Sequence, residues 1–173
     1  MPHTAAGRAF REARDLLLAN AHDPEAAHAA FTWPDVGGHF NWAVDWFDVI
    51  ADGNGTVALR VIEQDGAEQS RTFDELRRAS DRVANWLRDR GVDKGDAVML
   101  MLDNRVELWE AMLAIMKIGA VILPTSIVLS AEDLAERLDR ADVRAVIADD
   151  ADAAKFDAFD RDLVRVVVGA DRA

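Results

Sequence analysis

The stretch that decides the fold is residues 95–125, which read GDAVMLMLDNRVELWEAMLAIMKIGAVILPT. It holds an apolar run, a polar break, a long apolar segment with helical spacing, and a second apolar run ending at Pro124 and Thr125. This order predicts strand, helix, strand. The polar break at residues 104–107 is placed to cap the helix, apolar residues on nearly all of its sides predict that it is buried, and Lys117 lies at its C-terminus, where the helix dipole favours a cation. Two neighbouring parallel strands need a long crossover connection, usually a helix. Because the apolar runs lack polar alternation, the stretch predicts a parallel sheet that is covered on both faces.

The chain after this stretch continues the same alternation. Ser130 is placed to cap a helix that runs to about residue 141, and an apolar strand follows over residues 143–148. A further helix is predicted over residues 151–159 and a last strand over residues 163–168. With right-handed crossovers, this order gives a doubly wound, mostly parallel sheet flanked by helices. We therefore assign the chain to the α/β class.

The chain before this stretch predicts helices and one hairpin. Apolar residues recur at helical spacing over residues 5–30, and Pro24 divides that segment into two helices. Another helix is predicted over residues 42–52, with Asn41 as its cap. Turn residues between two β-rich runs predict a hairpin over residues 57–72.

The end of the hairpin carries a helix start signal. Thr72 and Glu75 have the spacing of a capping box, and Gly91 is placed to end the helix that follows. We predict two parts, an N-terminal helical segment over residues 1–39 and an α/β part over residues 40–173.

Composition excludes several classes of function. The chain has 173 residues, 50% of them hydrophobic, and a formal net charge of −12, which argues against a nucleic-acid partner. It has no cysteine, so disulfides, thiolate metal sites and a cysteine nucleophile are excluded. The N-terminus lacks the pattern of a secretory signal, and no apolar run is long enough to span a bilayer. We expect a cytoplasmic protein with no membrane span.

Candidate functional residues lie where the predicted strands end, because open parallel sheets bind ligands there. No GxGxxG follows a strand and no GxxxxGK[ST] occurs, which disfavours dinucleotide and P-loop nucleotide binding by this chain alone. Ser126 and Ser130 do not sit in a nucleophile elbow, and turn and cap roles suffice for them. We expect no catalytic residue and no metal site. The residues at these strand ends are Asp103 and Asn104, Thr125 and Ser126, Asp149 and Asp150, and residues 169–171.

Three segments in register carry a family resemblance. Residues 40–43 read FNWA, residues 71–76 read RTFDEL, and residues 95–98 with 116–124 read GDAV and MKIGAVILP. Together they resemble the N-terminal portion of an AMP-forming, or adenylate-forming, acyl-CoA synthetase. The nearest likeness is to the medium-chain acyl-CoA and acetyl-CoA synthetases. The resemblance covers most of the chain, from Phe40 to about Val168.

The resemblance implies an activity for a parent enzyme. Such enzymes activate a carboxylic acid with ATP to an acyl-adenylate and then pass the acyl group to CoA. The implied cofactors and partners are ATP, Mg and CoA, a fatty or aromatic acid, and the remaining domains of the same enzyme. The family's phosphate-binding loop, ribose-binding Asp and catalytic Lys lie downstream, and none has appeared by Ala173. We expect residues 40–173 to be an incomplete N-terminal subdomain that needs no cofactor and is inactive by itself.

Two departures from the family pattern concern the strand ends. Asp103 replaces a Pro that often follows the first buried strand, and Val128 stands where some members use a Gln that reaches CoA. Thr125 and Ser126 are candidate residues of the substrate or CoA cleft, although a turn leading to the Ser130 cap explains them equally well.

Two other functions stay open from the sequence. One is a flavodoxin-like binding or regulatory module in which Asp103, Asp149 and Asp150 hold a divalent cation. The commoner role for such carboxylates is to cap the next helix. The other is a structural or assembly domain, and a homo-oligomer also stays open.

Overall fold

The structure is a computed structural model that describes residues 4–169. The chain divides into two compact units, one ending at Asp52 and the other beginning at Gly53. Each unit is described by itself. The division into residues 1–39 and 40–173 stays a prediction.

The first unit is helical, as the sequence predicts. Its elements are α1 (Ala5–Ala19), α2 (Pro24–Ala30), a π-helical segment (Trp42–Phe47) and α3 (Asp48–Ala51). The predicted helix over residues 42–52 therefore exists, but its first part is wound more loosely than an α-helix. Asn41 caps it, as predicted, by accepting hydrogen bonds from the amides of Ala43 and Val44.

A glycine lets α1 lie directly against the π-helical segment. Thr4 caps α1 and donates a hydrogen bond of 2.6 Å to the carboxylate of Asp45. At Gly7, one turn further on, a Cβ atom would come within 2.6 Å of the carbonyl oxygen of Asp45. Real Cβ atoms do not approach backbone oxygens so closely, so this contact requires glycine.

We predict that Gly7→Ala destabilises the first unit, since the added methyl group pushes α1 away from the Asp45 carbonyl. Overpacking costs about 1–3 kcal/mol, which exceeds the gain of up to ~1 kcal/mol from better helix propensity. Urea unfolding followed by tryptophan fluorescence measures the difference. Gly38→Ala is the matched control, because a Cβ there would meet nothing within 4 Å. Equal stability of the two variants would contradict the prediction.

The second unit alternates strands and helices. Its first part is an antiparallel hairpin. Its elements are β1 (Val57–Ile62), β2 (Glu68–Thr72), α4 (Phe73–Asp89), β3 (Ala97–Met101), α5 (Val106–Ile118), β4 (Val121–Pro124), α6 (Ala131–Arg140), β5 (Val143–Asp149), α7 (Asp150–Ala153), a 3-10 turn (Ala154–Phe156) and β6 (Val164–Val168).

The last four strands form a parallel sheet in the order β4-β3-β5-β6. In β3, Val98 lies opposite Ile122 of β4 on one side and Ala145 of β5 on the other. The predicted α/β class with a mostly parallel sheet is confirmed. So is the hairpin, and so is the capping box in which Thr72 and Glu75 exchange hydrogen bonds.

Helices cover both faces of the sheet, so two apolar cores form. Val98 and Leu100 of β3 belong to the core under α4 and α5, together with Leu87 and Ile115. The alternate residues, Met99 and Met101, belong to the core under α6 and the 3-10 turn. Because side chains alternate along a strand, one short apolar strand supplies both cores. The doubly wound arrangement is confirmed.

A buried cation joins α4 to α5. Only 5% of the Lys117 side chain is exposed, and its Nζ donates to Oδ1 of Asp81 at 2.7 Å and to the carbonyl oxygen of Arg77 at 3.1 Å. The sequence assigns Lys117 a role at the C-terminus of α5, where cations favour the helix dipole. The structure adds a second role, because the side chain ties two helices of one core together.

We predict that Asp81→Ala destabilises the protein more than Lys117→Met. Removing the carboxylate leaves a buried ammonium group without its counter-charge, at a cost of about 3 kcal/mol. Replacing Lys117 with an apolar side chain of similar length removes the hydrogen bonds, at a cost of about 1–2 kcal/mol. Thermal unfolding with Lys94→Met as the control measures both. Asp81→Ala no more destabilising than Lys117→Met would contradict the prediction.

Three details differ from the predictions. Arg105 is the N-cap residue of α5, and no capping hydrogen bond from its side chain is present among the described residues, so the polar segment before α5 does not cap it as predicted. Trp109 of α5 is 42% exposed, whereas the sequence predicts a buried helix. The predicted helix over residues 151–159 is only α7 and the 3-10 turn, because Phe156 turns into the core under α6.

Candidate functional site

The candidate site lies at the carboxyl ends of β3 and β5. The connection from β3 leads through α5 to β4 on one side, and the connection from β5 leads through α7 to β6 on the other side. Neighbouring strands whose connections leave in opposite directions create a crevice, which is where open parallel sheets bind ligands. The residues that follow β3 and β5 therefore define the site.

An ion pair spans this crevice. Nη1 of Arg105, which follows β3, donates a hydrogen bond to Oδ2 of Asp149, the last residue of β5. Nε of the same guanidinium donates to Oε2 of Glu107 at 2.9 Å. Both side chains of the Arg105–Asp149 pair are about 30% exposed, at 29% and 30%. The edge between β3 and β5 is thus closed by contacts within the protein.

These contacts shift the pKa values of Arg105 and Glu107. The hydrogen bond from Arg105 to Glu107, with the nearby charges of Glu107 and Asp149, raises the pKa of Arg105 above its usual value. Burial acts to raise the pKa of Glu107, but the hydrogen bond from Arg105, a backbone hydrogen bond and the charges of Arg105 and Arg71 together hold that pKa below its usual value. The arrangement therefore favours the charged forms of both groups.

Two aspartates at this edge accept hydrogen bonds from nearby backbone amides. Asp149 accepts a hydrogen bond from the amide of Ala151 at 3.2 Å, as the capping interpretation predicts. Asp103 accepts from the amide of Asn104 at 2.8 Å. Among residues 4–169, no group of three or more His, Asp or Glu side chains is arranged to hold a metal ion. The structure thus gives no support to a cation site at Asp103, Asp149 and Asp150.

Gly169 also lies at this edge. A Cβ at that position would come within 2.7 Å of Cβ of Asp150, so the end of β6 approaches the start of α7 closely. The other two residues of that predicted strand end, Ala170 and Asp171, lie outside the described residues.

Thr125 and Ser126 follow β4 at the same edge, but their hydroxyl groups form hydrogen bonds with backbone groups two residues away. Thr125 is 8% exposed, and its Oγ1 donates to the carbonyl oxygen of Leu123 at 3.1 Å. Oγ of Ser126 accepts from the amide of Val128 at 3.5 Å, and Ser130 caps α6 in a capping box with Asp133. The predicted turn and cap roles are therefore present, and a role in the cleft stays a prediction.

Lys155 holds the loop that carries these hydroxyls. Its Nζ donates to the carbonyl oxygen of Ile127 at 2.7 Å and pairs with Asp152 at 2.9 Å. Sequence reasoning missed this contact. The partners are 28 residues apart, and a backbone carbonyl leaves no signal in a side-chain pattern.

A second pair of charges links β2 to α5. Nε of Arg71 lies 3.3 Å from Oε1 of Glu110, whose side chain is only 15% exposed. Burial raises the pKa of Glu110 above its usual value, and the hydrogen bond from Arg71 only partly offsets that effect. Glu107 and Glu110, one turn apart on α5, are therefore shifted in opposite directions.

We predict opposite pH dependences when these two glutamates are replaced. A raised pKa in the folded state means that Glu110 favours folding at low pH and loses that contribution as the pH rises above 4.5, its usual value. The lowered pKa of Glu107 means a contribution that is present at neutral pH and lost as the pH falls. With rising pH, wild type should lose stability relative to Glu110→Gln and gain it relative to Glu107→Gln. Urea unfolding from pH 3 to 8 tests this, because the contribution of Glu107 is lost only below its usual pKa of 4.5. Parallel curves for all three proteins would contradict the prediction.

Comparison with known proteins identifies the family. A sequence model of the AMP-binding enzyme family matches residues 49–173. The mitochondrial acyl-coenzyme A synthetase ACSM5 of Rattus norvegicus is 34% identical over 131 residues, covering 72% of this chain and 23% of that protein. The chloroplastic/glyoxysomal acetyl-coenzyme A synthetase of Arabidopsis thaliana is 44% identical over 73 residues, covering 42% of this chain and 10% of that protein.

A solved structure shows the same architecture. The acyl-CoA synthetase of Brucella canis matches with a TM-score of 0.67 and 25% identity, covering 78% of this chain and 25% of that chain. The chain belongs to the AMP-binding enzyme family. Within that family, its likeness to the N-terminal portion of AMP-forming acyl-CoA synthetases is confirmed. The chain spans about a quarter of the length of the ACSM5 relative, 23%. Each helix in residues 4–169 is too short or too polar to cross a membrane.

Proposed function

We propose that this chain is the N-terminal part of an AMP-forming acid–CoA ligase. The whole protein would activate a fatty or aromatic carboxylic acid with ATP and Mg²⁺, form an acyl-adenylate with release of pyrophosphate, and transfer the acyl group to CoA. Support comes from the family match over residues 49–173 and from relatives that are named acyl-CoA and acetyl-CoA synthetases.

The role we propose for this chain rests on the contacts that its polar side chains make at the carboxyl ends of the strands. Displacement at a phosphate needs cations and donors aimed at the developing charge. At this crevice the guanidinium group of Arg105 is already bound by the carboxylates of Glu107 and Asp149. The hydroxyl of Thr125 is turned onto its own strand. We therefore assign this chain the role of a scaffold and place the phosphate-binding groups in sequence beyond these 173 residues.

Thr125 and Ser126 remain our proposed contribution to the substrate or CoA cleft. They follow β4 at the ligand-binding edge, in a loop whose backbone is held by Lys155. A cytoplasmic location also stays a proposal, since the named relatives include a mitochondrial and a chloroplastic/glyoxysomal enzyme.

We predict that the purified 173-residue chain shows no carboxylate-dependent exchange of pyrophosphate into ATP with acetate, octanoate or benzoate. A complete acyl-CoA synthetase assayed beside it is the positive control, and circular dichroism must show that the chain is folded. Exchange above the acid-free blank, lost after thermal unfolding of the chain, would contradict the scaffold assignment.

A further inference from the structure

The turn that leads into β1 contains an asparagine followed by glycine, Asn54 and Gly55. Asn54 is the one asparagine of the sequence with glycine after it. Glycine has no side chain to shield its backbone nitrogen or to restrict the backbone around it. That nitrogen can therefore reach the side-chain amide carbon of the preceding asparagine and close a five-membered ring. The pair is a candidate site of covalent change within the chain itself.

The backbone amide of Gly55 is open to water. Gly55 is exposed, and within residues 4–169 no group accepts a hydrogen bond from its amide. The glycine amides of the two Asp-Gly pairs in the chain differ in this respect. That of Gly53 donates to Oδ1 of Asp74 at 3.2 Å, and that of Gly66 donates to the carbonyl oxygen of Glu63 at 2.9 Å. Of these three glycines, Gly55 is the one whose nitrogen solvent can deprotonate without breaking a hydrogen bond.

Two hydrogen bonds polarise the groups that would react. The amide of Thr56 donates to Oδ1 of Asn54 at 3.0 Å, so it stabilises the negative charge that develops on this oxygen when the amide carbon is attacked. The amide of Asp74 donates to the carbonyl oxygen of Asn54 at 3.1 Å. That carbonyl belongs to the same peptide group as the Gly55 nitrogen, so this hydrogen bond stabilises the anion formed when the nitrogen loses its proton. Both contacts favour ring closure.

The first turn of α4 adds to this effect. Phe73 and Asp74 begin this 17-residue helix, and the amide of Phe73 donates to the carbonyl oxygen of Thr56 at 3.1 Å. The N-terminal end of a helix favours negative charge nearby. The carboxylate of Asp74 is itself paired with Arg77 at 3.0 Å and with Arg78 at 2.8 Å, and these cations offset its charge.

We propose that Asn54 is a self-modification site, at which the folded chain converts asparagine to aspartate and isoaspartate with water as the co-reactant. The Gly55 nitrogen gives its proton to hydroxide and attacks Cγ of Asn54. The bond from Cγ to Nδ2 breaks, and the side-chain nitrogen takes a proton from water and leaves as ammonia. Water then opens the succinimide ring. Opening at Cγ gives aspartate, and opening at the former main-chain carbonyl gives isoaspartate.

Either product changes the turn before β1. A carboxylate replaces a neutral amide, so the chain becomes one charge more negative than −12. In isoaspartate the new carboxylate derives from the carbonyl group that accepts from the Asp74 amide, and the main chain runs through Cγ and is one methylene longer. The modification therefore alters both the charge and the length of the connection that contacts α4.

Incubation of the folded chain at mildly alkaline pH, followed by peptide mapping with mass spectrometry, tests the proposal. The peptide that contains Asn54 should gain one dalton, and enzymatic methylation specific for isoaspartate should detect that product beside aspartate. The rate should lie within about tenfold of the rate in a synthetic peptide of residues 51–58, a factor that corresponds to ~1.4 kcal/mol in the barrier. Slower conversion in the folded chain would overturn the proposal, because the fold would then protect the site.

Gly55→Ala is the matched variant. A Cβ there would meet nothing within 4 Å, and Gly55 does not adopt the left-handed conformation, so circular dichroism should show an unchanged fold. The methyl group hinders attack by the nitrogen, and conversion of Asn54 should slow by about tenfold or more. Equal rates in the two proteins, or aspartate formed without isoaspartate, would mean hydrolysis without ring closure and would overturn the proposal. None of these outcomes depends on the ligase function of the parent.

Discussion

The rest of the second unit depends on β3, which lies between β4 and β5 and is buried on both faces. Its backbone amides and carbonyls are out of water and need partners, which only a strand on each side supplies. Its side chains alternate between two cores. Val98 and Leu100 pack in one core, and Met99 and Met101 pack in the other. The helices follow from this arrangement, since each parallel neighbour must be reached by a crossover that covers one face.

The family motif around residues 116–124 has a physical explanation here. Lys117 is drawn out of water to join α5 to α4 through Asp81. Gly119 ends α5 in the left-handed conformation at φ 75°, where a Cβ would come within 3.0 Å of the Lys94 side chain. Lys117 and Gly119 therefore fix the end of α5 and let the chain turn into the edge strand β4.

Local signals made much of this structure predictable. The capping boxes at Thr72 and Ser130 join residues three apart, so the sequence displays them directly. The contacts that define the candidate site are not local. Arg105 and Asp149 are 44 residues apart and Lys117 and Asp81 are 36 apart, so their pairing depends on strand order and helix packing that no window of sequence contains. The loose winding after Asn41 has no signal in apolar spacing either.

The burial of β3 on both faces makes it the most protected element of the second unit. Amide hydrogen exchange followed by NMR tests this directly, because amides that open only with the whole core exchange at the rate of global unfolding. We predict that Met99 and Leu100 exchange with the free energy of global unfolding measured in urea, and that amides of the exposed hairpin strand Glu68–Thr72 exchange much faster. Exchange at Met99 and Leu100 as fast as in the hairpin would contradict the account.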